Sequence, residues 1–240
     1  MPTEPDRILC IAAHPDDIDF GVAGSVAAWT AGGIEVAYCV ITDGDAGGFD
    51  PAVPRNRIGG IRRDEQRAAA AEVGVDDVTF LGYLDGQLEV SLDLRKDLAR
   101  EIRRFRPQRV VCQSPFRSFR SVYRSHPDHL AAGEATLCAV YPDARNPFTF
   151  VELVAEGHEA WTVDEVWLSV PDEFPHTTLH VMDVTEQVDR KLAALHAHVS
   201  QHPDVALMET RVREWMAADA AAHGLAPDRF AEVFAVVDTR

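Results

Sequence analysis

Apolar residues along this chain fall into two rhythms. Short continuous runs at residues 8–13, 34–42, 78–81 and 109–113 have the length and β-branched content of buried strands. Between them, apolar positions recur three and four apart, and this spacing predicts helices over 22–31, 56–73, 92–105 and 130–140. In 92–105 the stripe is Leu94, Leu98, Ile102 and Phe105, and the helix stops before Pro107. In 56–73 it is Ile61, Ala68, Ala69 and Val73, with Gly74 as the stop signal. Residues 141–180 read as Pro-rich and irregular, with strands at 165–170 and 179–182. Helices at 184–199 and 205–222 and a last strand at 230–237 complete the chain. Strand and helix alternate, which is the pattern of a parallel sheet with covering helices. No break in composition marks a boundary, so one α/β domain over 1–240 is expected.

The first strand ends in His14-Pro15-Asp16-Asp17, with Gly21 and Gly24 following. In open α/β sheets the C-terminal edge of the strands is where ligands bind. An imidazole and two carboxylates within four residues are costly to bury unpaired, and one divalent cation would satisfy them together. Taken singly, His14 could be a hydrogen-bonded strand-end histidine, and Asp16 or Asp17 could cap the next helix. The second strand ends in Asp43-Gly44-Asp45-Ala46-Gly47-Gly48, which lacks the alternating ligands and closing Glu of a calcium loop and reads as a turn.

A third ligand comes from the far side of the fourth strand. The loop 114–125 delivers His126-Pro127-Asp128-His129, where Pro127 suits a first helical turn. His126 and His129 are three apart and can project toward one side of the helix start. His14, Asp17 and His129 then make a set of two nitrogens and one carboxylate, the open arrangement of catalytic zinc with water in the fourth position. Zn2+ would lower the pKa of that water to about 7. Asp16 is placed to act as general base, and His126 as an imidazolium that stabilises an oxyanion and protonates a leaving amine. Asp128 is expected to orient His126. The outcome would be amide hydrolysis.

Composition narrows the partners. The 240 residues carry a formal net charge of −16, which opposes nucleic acid and anionic membranes and suits a small-molecule substrate. No apolar run approaches the roughly 18–20 residues of a membrane helix, and no signal peptide is visible. Cys10, Cys39, Cys112 and Cys138 sit in apolar surroundings without C-x-x-C spacing, which fits reduced thiols in a cytoplasmic protein.

The two His-Pro-Asp motifs together resemble the PIG-L/LmbE family of zinc-dependent N-acetylglucosaminide deacetylases. Arg62-Arg63-Asp64-Glu65, Leu81-Gly82-Tyr83-Leu84-Asp85-Gly86, and Lys191 with His198-Val199-Ser200-Gln201 are similar to other family segments. The resemblance implies a Rossmann-like, mostly parallel sheet covered by helices on both faces. Residues 1–140 would carry the metal motifs and 141–240 would shape the pocket. It also implies removal of acetyl from an N-acetylated amino sugar, zinc on His14, Asp17 and His129, the base on Asp16 and oxyanion stabilisation by His126. Arg62 and Asp85 match sugar-contacting positions, and relatives are often homo-oligomers. The chain departs from the family's usual Glu after the paired aspartates, carrying Ile18 and then Asp19.

Arg117, Arg120 and Arg124 are interleaved with Phe116, Phe119 and Tyr123 just before the second motif. Either this is a solvated loop, or an arginine such as Arg124 binds an anionic part of the substrate. Gln201-His202-Pro203-Asp204 repeats the His-Pro-Asp string but reads as a helix start. Amidase action on a thiol conjugate or a longer acyl chain is the nearest alternative. A dinucleotide-binding protein fits poorly, because the first strand ends without G-x-G-x-x-G; a non-catalytic sugar-binding module is the remaining class.

Overall fold

The computed structural model describes residues 4–119, 122, 125–169 and 178–240. Seven strands are hydrogen-bonded into one sheet of order β3-β2-β1-β4-β5-β7-β6. These are β1 Arg7–Ala12, β2 Glu35–Thr42, β3 Asp77–Tyr83, β4 Arg109–Gln113, β5 Glu165–Ser169, β6 Thr178–Asp183 and β7 Ala231–Asp238. β1 to β5 pair in parallel, and β7 runs antiparallel between β5 and β6. The sheet is therefore mostly parallel, as in an α/β fold.

Alternation along β1 shows why both faces need helices. Leu9, Ile11 and Ala13 point into one core, with Ala37, Cys39 and Ile41 of β2. That core is closed by α3 (Leu92–Phe105) and α4 (Pro127–Cys138) through Leu94, Leu98, Ile102 and Ala135. Ile8, Cys10 and Ala12 point the other way, with Val36, Tyr38 and Val40. There α1 (Asp17–Ala31) and α2 (Arg55–Glu72) close the layer through Val22, Val26, Ala69 and Ala70. A run apolar on both faces is the signature of a strand covered on both sides. A third cluster joins α6 (Val188–His196) to α7 (Val205–Ala222) through Leu192, Leu195, Met208 and Val212.

Several elements differ from the sequence reading. α1 begins at Asp17 and α4 at Pro127, because each starts directly on its His-Pro-Asp motif rather than after it. The 184–199 segment is a 3₁₀ turn, Thr185–Gln187, followed by the shorter α6. A short helix, α5 (Val151–Ala155), lies in the stretch read as irregular. On α2, Ile61 is exposed and the inward stripe includes Arg62 and Gln66 with Ala69 and Ala70. Those two polar groups are drawn inward by hydrogen bonds to the site, which hydrophobic spacing cannot register.

Candidate metal centre

His14 follows the end of β1, and Asp17 opens α1 three residues later. The Asp17 carboxylate accepts the His14 backbone N–H at 2.7 Å, which folds the two residues together. His129 arrives from the first turn of α4. His14 Nδ1 lies 3.2 Å from Asp17 Oδ2 and 3.2 Å from His129 Nε2, and His129 Nε2 lies 3.1 Å from Asp17 Oδ1. A tetrahedral ion with bonds of about 2.0–2.1 Å keeps its ligands roughly 3.3–3.4 Å apart, and the two ring nitrogens, each meeting a different Asp17 oxygen, have spacings and donor types close to that. His126 is also near enough to form a three-histidine cluster with His14 and His129. The contacts through Asp17, at 3.2 and 3.1 Å, lie close to the tetrahedral edge.

The other side of His14 is held by carboxylates. Its Nε2 lies 3.1 Å from Asp85 Oδ1 and 3.2 Å from Asp128 Oδ2. Donation of the Nε2 proton to that pair leaves the Nδ1 lone pair for a cation, the usual support of a metal-bound histidine. Burial disfavours a charged His14, but Asp17, Asp128 and Asp85 together push its pKa up to about 12. Physically, this cluster demands a positive charge at its centre, and a divalent ion meets that demand more fully than a proton.

Asp128 corrects an expectation. Its side chain is 1% exposed and turned to His14, and it accepts the backbone N–H groups of Gly86 at 2.7 Å and Leu88 at 3.3 Å. It does not orient His126. Instead the Asp128 backbone N–H donates to His126 Nδ1 at 3.2 Å, making His126 the N-cap of α4. A ring nitrogen that accepts a hydrogen bond carries no proton, so this geometry defines a neutral His126 with its proton on Nε2. Burial and the neighbouring His14 act in the same direction, lowering the His126 pKa.

Asp16 stands at the N-cap position of α1 yet makes no side-chain cap bond, and its backbone is left-handed, φ 89°. Its carboxylate instead lies 3.2 Å from Arg62 Nη2. Burial raises its pKa to about 6, with Arg62 opposing and Asp17 adding to the shift. Arg62 and Asp85, for which family likeness implied sugar contact, are both buried and engaged by the protein itself. Arg62 donates to Pro15 O at 2.5 Å and Gly44 O at 3.0 Å, while Asp85 accepts from Ala46 N at 3.2 Å. Gly44 and Gly47 explain the small residues of the β2 loop, since a Cβ on either would overlap the Arg62 guanidinium.

Behind these groups lies Gln66, which the sequence reading missed, with Asp19 and His198, which it named without a hydrogen-bonding role. Gln66, Asp19 and His198 are fully buried and hydrogen-bonded to one another and to Asp16. Asp204 caps α7 by accepting from Leu207 N at 2.9 Å, as a helix start should. Arg120, Tyr123 and Arg124 lie outside the described residues; Arg117 donates to Ser125 O at 3.3 Å. Beside the centre a cleft of about 470 Å³ is lined by Asp43, Asp45, Arg55, Asn56, Arg63 and Tyr83. In its wall Asp45 Oδ1 accepts the backbone N–H of Asp85 at 3.0 Å, and the Asp85 carboxylate faces His14.

Fold and site define an α/β protein with a His/Asp/His centre at the strand ends. Residues 9–140 match the model of the PIG-L family, GlcNAc-PI de-N-acetylase, and the chain belongs to that family. It is 30% identical over 198 residues to a diacetylchitobiose deacetylase of Thermococcus kodakarensis, covering 82% of this chain and 71% of the relative. It is 32% identical over 202 residues to a probable N-acetyl-alpha-D-glucosaminyl L-malate deacetylase 2 of Bacillus anthracis, covering 81% of each. The structure of N,N'-diacetylchitobiose deacetylase from Pyrococcus horikoshii superposes with a TM-score of 0.88 at 27% identity, over 98% of this chain and 85% of that one. Among the described residues no helix is long and apolar enough to cross a membrane.

Proposed function

We propose that this protein is a zinc-dependent hydrolase that removes the N-acetyl group from an N-acetylglucosamine-type small molecule. The observation that carries the reading is the His14–Asp17–His129 triangle, with edges of 3.1–3.2 Å, beside the uncapped carboxylate of Asp16. A zinc ion held by those three residues supplies Lewis acidity, polarising a carbonyl and lowering the pKa of water to about 7. Asp16 takes the proton of the attacking water as the water oxygen bonds to the acetyl carbon. His126, capping α4 through Nδ1, donates its Nε2 proton as a hydrogen bond to the oxyanion that develops. Asp16 then returns its proton to the sugar nitrogen as the C–N bond breaks, giving acetate and a free amine. His126 keeps its proton throughout, so the cap need not break.

The cleft lined by Asp45 is within the roughly 300–1,000 Å³ of ligand pockets, and its Asp43, Asp45, Arg55, Asn56 and Arg63 offer donors and acceptors for a hydroxyl-rich remainder of the substrate. Relatives named for diacetylchitobiose and for glucosaminyl malate support an amino sugar with a variable second part. Three buried free cysteines support a cytoplasmic setting.

Elemental analysis of the purified protein and amine release from a panel of N-acetylglucosaminides test this reading. The expected result is about one zinc per chain, consistent with a single site of this type, and amine release that is lost on chelation and in Asp16→Asn. A protein that takes up no zinc on reconstitution, or an Asp16→Asn variant with wild-type turnover, would refute it.

A further inference from the structure

The base of the proposed reaction sits in a backbone conformation that something must hold. An Asp immediately before a helix ordinarily folds its carboxylate onto the first free N–H groups and is consumed as a cap. Asp16 escapes this because its φ is 89° and ψ −25°, a region sparsely populated by residues other than glycine. Left-handed at this position, it presents its carboxylate to Arg62 instead.

One side chain grips the backbone at that point. Gln66 Oε1 accepts the Asp16 N–H at 2.8 Å, and its Nε2 donates to Asp19 Oδ2 at 2.8 Å. The same Asp19 oxygen accepts from His198 Nε2 at 2.7 Å. Gln66, Asp19 and His198 each have no exposed surface. In that enclosed setting the Gln66 amide has both its oxygen and its nitrogen engaged, and buried hydrogen bonds in a low-dielectric interior hold their members strongly. The chain runs from α6's far end, through the first turn of α1, to α2, and terminates on the amide of Asp16.

We infer that Gln66 is a positioning residue for the general base, acting through the Asp16 backbone with Asp19 and His198 as its anchor. The inference rests on the reading of Asp16 as base. It assigns to Asp19 a role that the missing Glu after the paired aspartates leaves open: it fixes the turn from behind without touching the metal donors.

The test compares Asp16→Asn, Gln66→Met and the exchanged pair Gln66→Glu with Asp19→Asn, all purified in the zinc-loaded form. Gln66→Met keeps the volume and removes both hydrogen bonds. Its kcat should fall by about 10–100-fold, the scale of a small misplacement of a catalytic group, with KM within about twofold. Its zinc stoichiometry should not change. Gln66→Glu alone sets two carboxylates together and should be impaired, whereas the exchanged pair restores one donor and one acceptor, with His198 shifting its proton to Nδ1 so that Nε2 accepts from the new amide, and should recover kcat to within about threefold of the parent. If Asp16→Asn is inactive while Gln66→Met, though less heat-stable, turns over at the parental rate per loaded enzyme, Gln66 is merely structural and the inference falls. An exchanged pair no better than Gln66→Glu alone would also overturn it. An active Asp16→Asn would instead remove the base reading itself.

Discussion

The Asp128 carboxylate lies 3.2 Å from His14 Nε2, while His126, two residues before it, meets Asp128 through the backbone N–H. One residue of the second motif thus serves both histidines by different atoms. The carboxylate sets the tautomer of the metal-donor ring, and the amide sets that of the proton-donor ring.

Asp128→Asn should therefore weaken zinc binding rather than alter His126. A loss of about 10–100-fold in zinc affinity is the scale for removing such a supporting carboxylate. Competition with a chromophoric chelator measures it, and an unchanged affinity would show that Asp85 alone suffices to hold His14.

Gly47→Ala tests the packing of Arg62. The new methyl group must displace the guanidinium or the nearby Gln201 amide, whose oxygen is 3.0 Å from the Cβ position. With Arg62 moved, Asp16 loses its ion pair, and turnover should drop roughly tenfold or more, the cost of a misplaced catalytic group. Stability should change less than turnover. Full activity in this variant would mean that Arg62 tolerates displacement.

Lys191 and Glu232 form a buried pair at 2.6 Å, and Glu232 also accepts the N–H groups of Gly24 and Ser25. Lys191→Met leaves that carboxylate uncompensated, which costs about 3–5 kcal/mol. For a chain of this length the melting temperature should fall by roughly 6–20 °C, at 2–4 °C per kcal/mol. Differential scanning calorimetry decides it; a shift of a degree or two would mean that water reaches the site.

His202 makes stability depend on pH. Its ring packs edge-on against Phe20, and its Nε2 is buried with no hydrogen-bond partner among the described residues. Burial, with His198 and Arg62 nearby, lowers its pKa to about 4. Between the ordinary value near 6.5 and about 4, the unfolded chain takes up a proton that the folded chain refuses. Stability should thus fall as pH drops through that window. His202→Gln should flatten the slope between pH 7 and 5 in thermal melts, and an equal slope in both proteins would count against the assignment.

The sheet was legible because its central strands are apolar on both faces, and 92–105, 109–113 and 205–222 coincide with their elements. Both motifs also announced where chemistry would gather, since few uses other than a cation explain two carboxylates beside a strand-end histidine. What the sequence hid was pairing at a distance. Spacing within His126-Pro127-Asp128-His129 invited a local Asp128–His126 contact, but the fold brings His14 to Asp128 from 114 residues away. The Gln66–Asp19–His198 chain was hidden for the same reason, because residues on two helices and in the segment after a third share no periodicity. Ile61 misled in the opposite sense: an apolar residue was counted toward the core while polar partners claimed the inward face of its helix.

β1 is hydrogen-bonded to β2 on one edge and β4 on the other, and both its faces are covered by helices. Amides in such a strand exchange with solvent only when the whole domain opens. His14 therefore hangs from one of the last segments to come apart, and Asp17 from the turn that follows it. His129 is carried instead by the first turn of α4, outside the sheet. A metal held on the proposed donors would therefore have two routes of release: a local opening at the start of α4, and global unfolding through β1. The second route guards two of the three proposed donors, so an ion lost by opening at α4 would leave behind the seat that recaptures it.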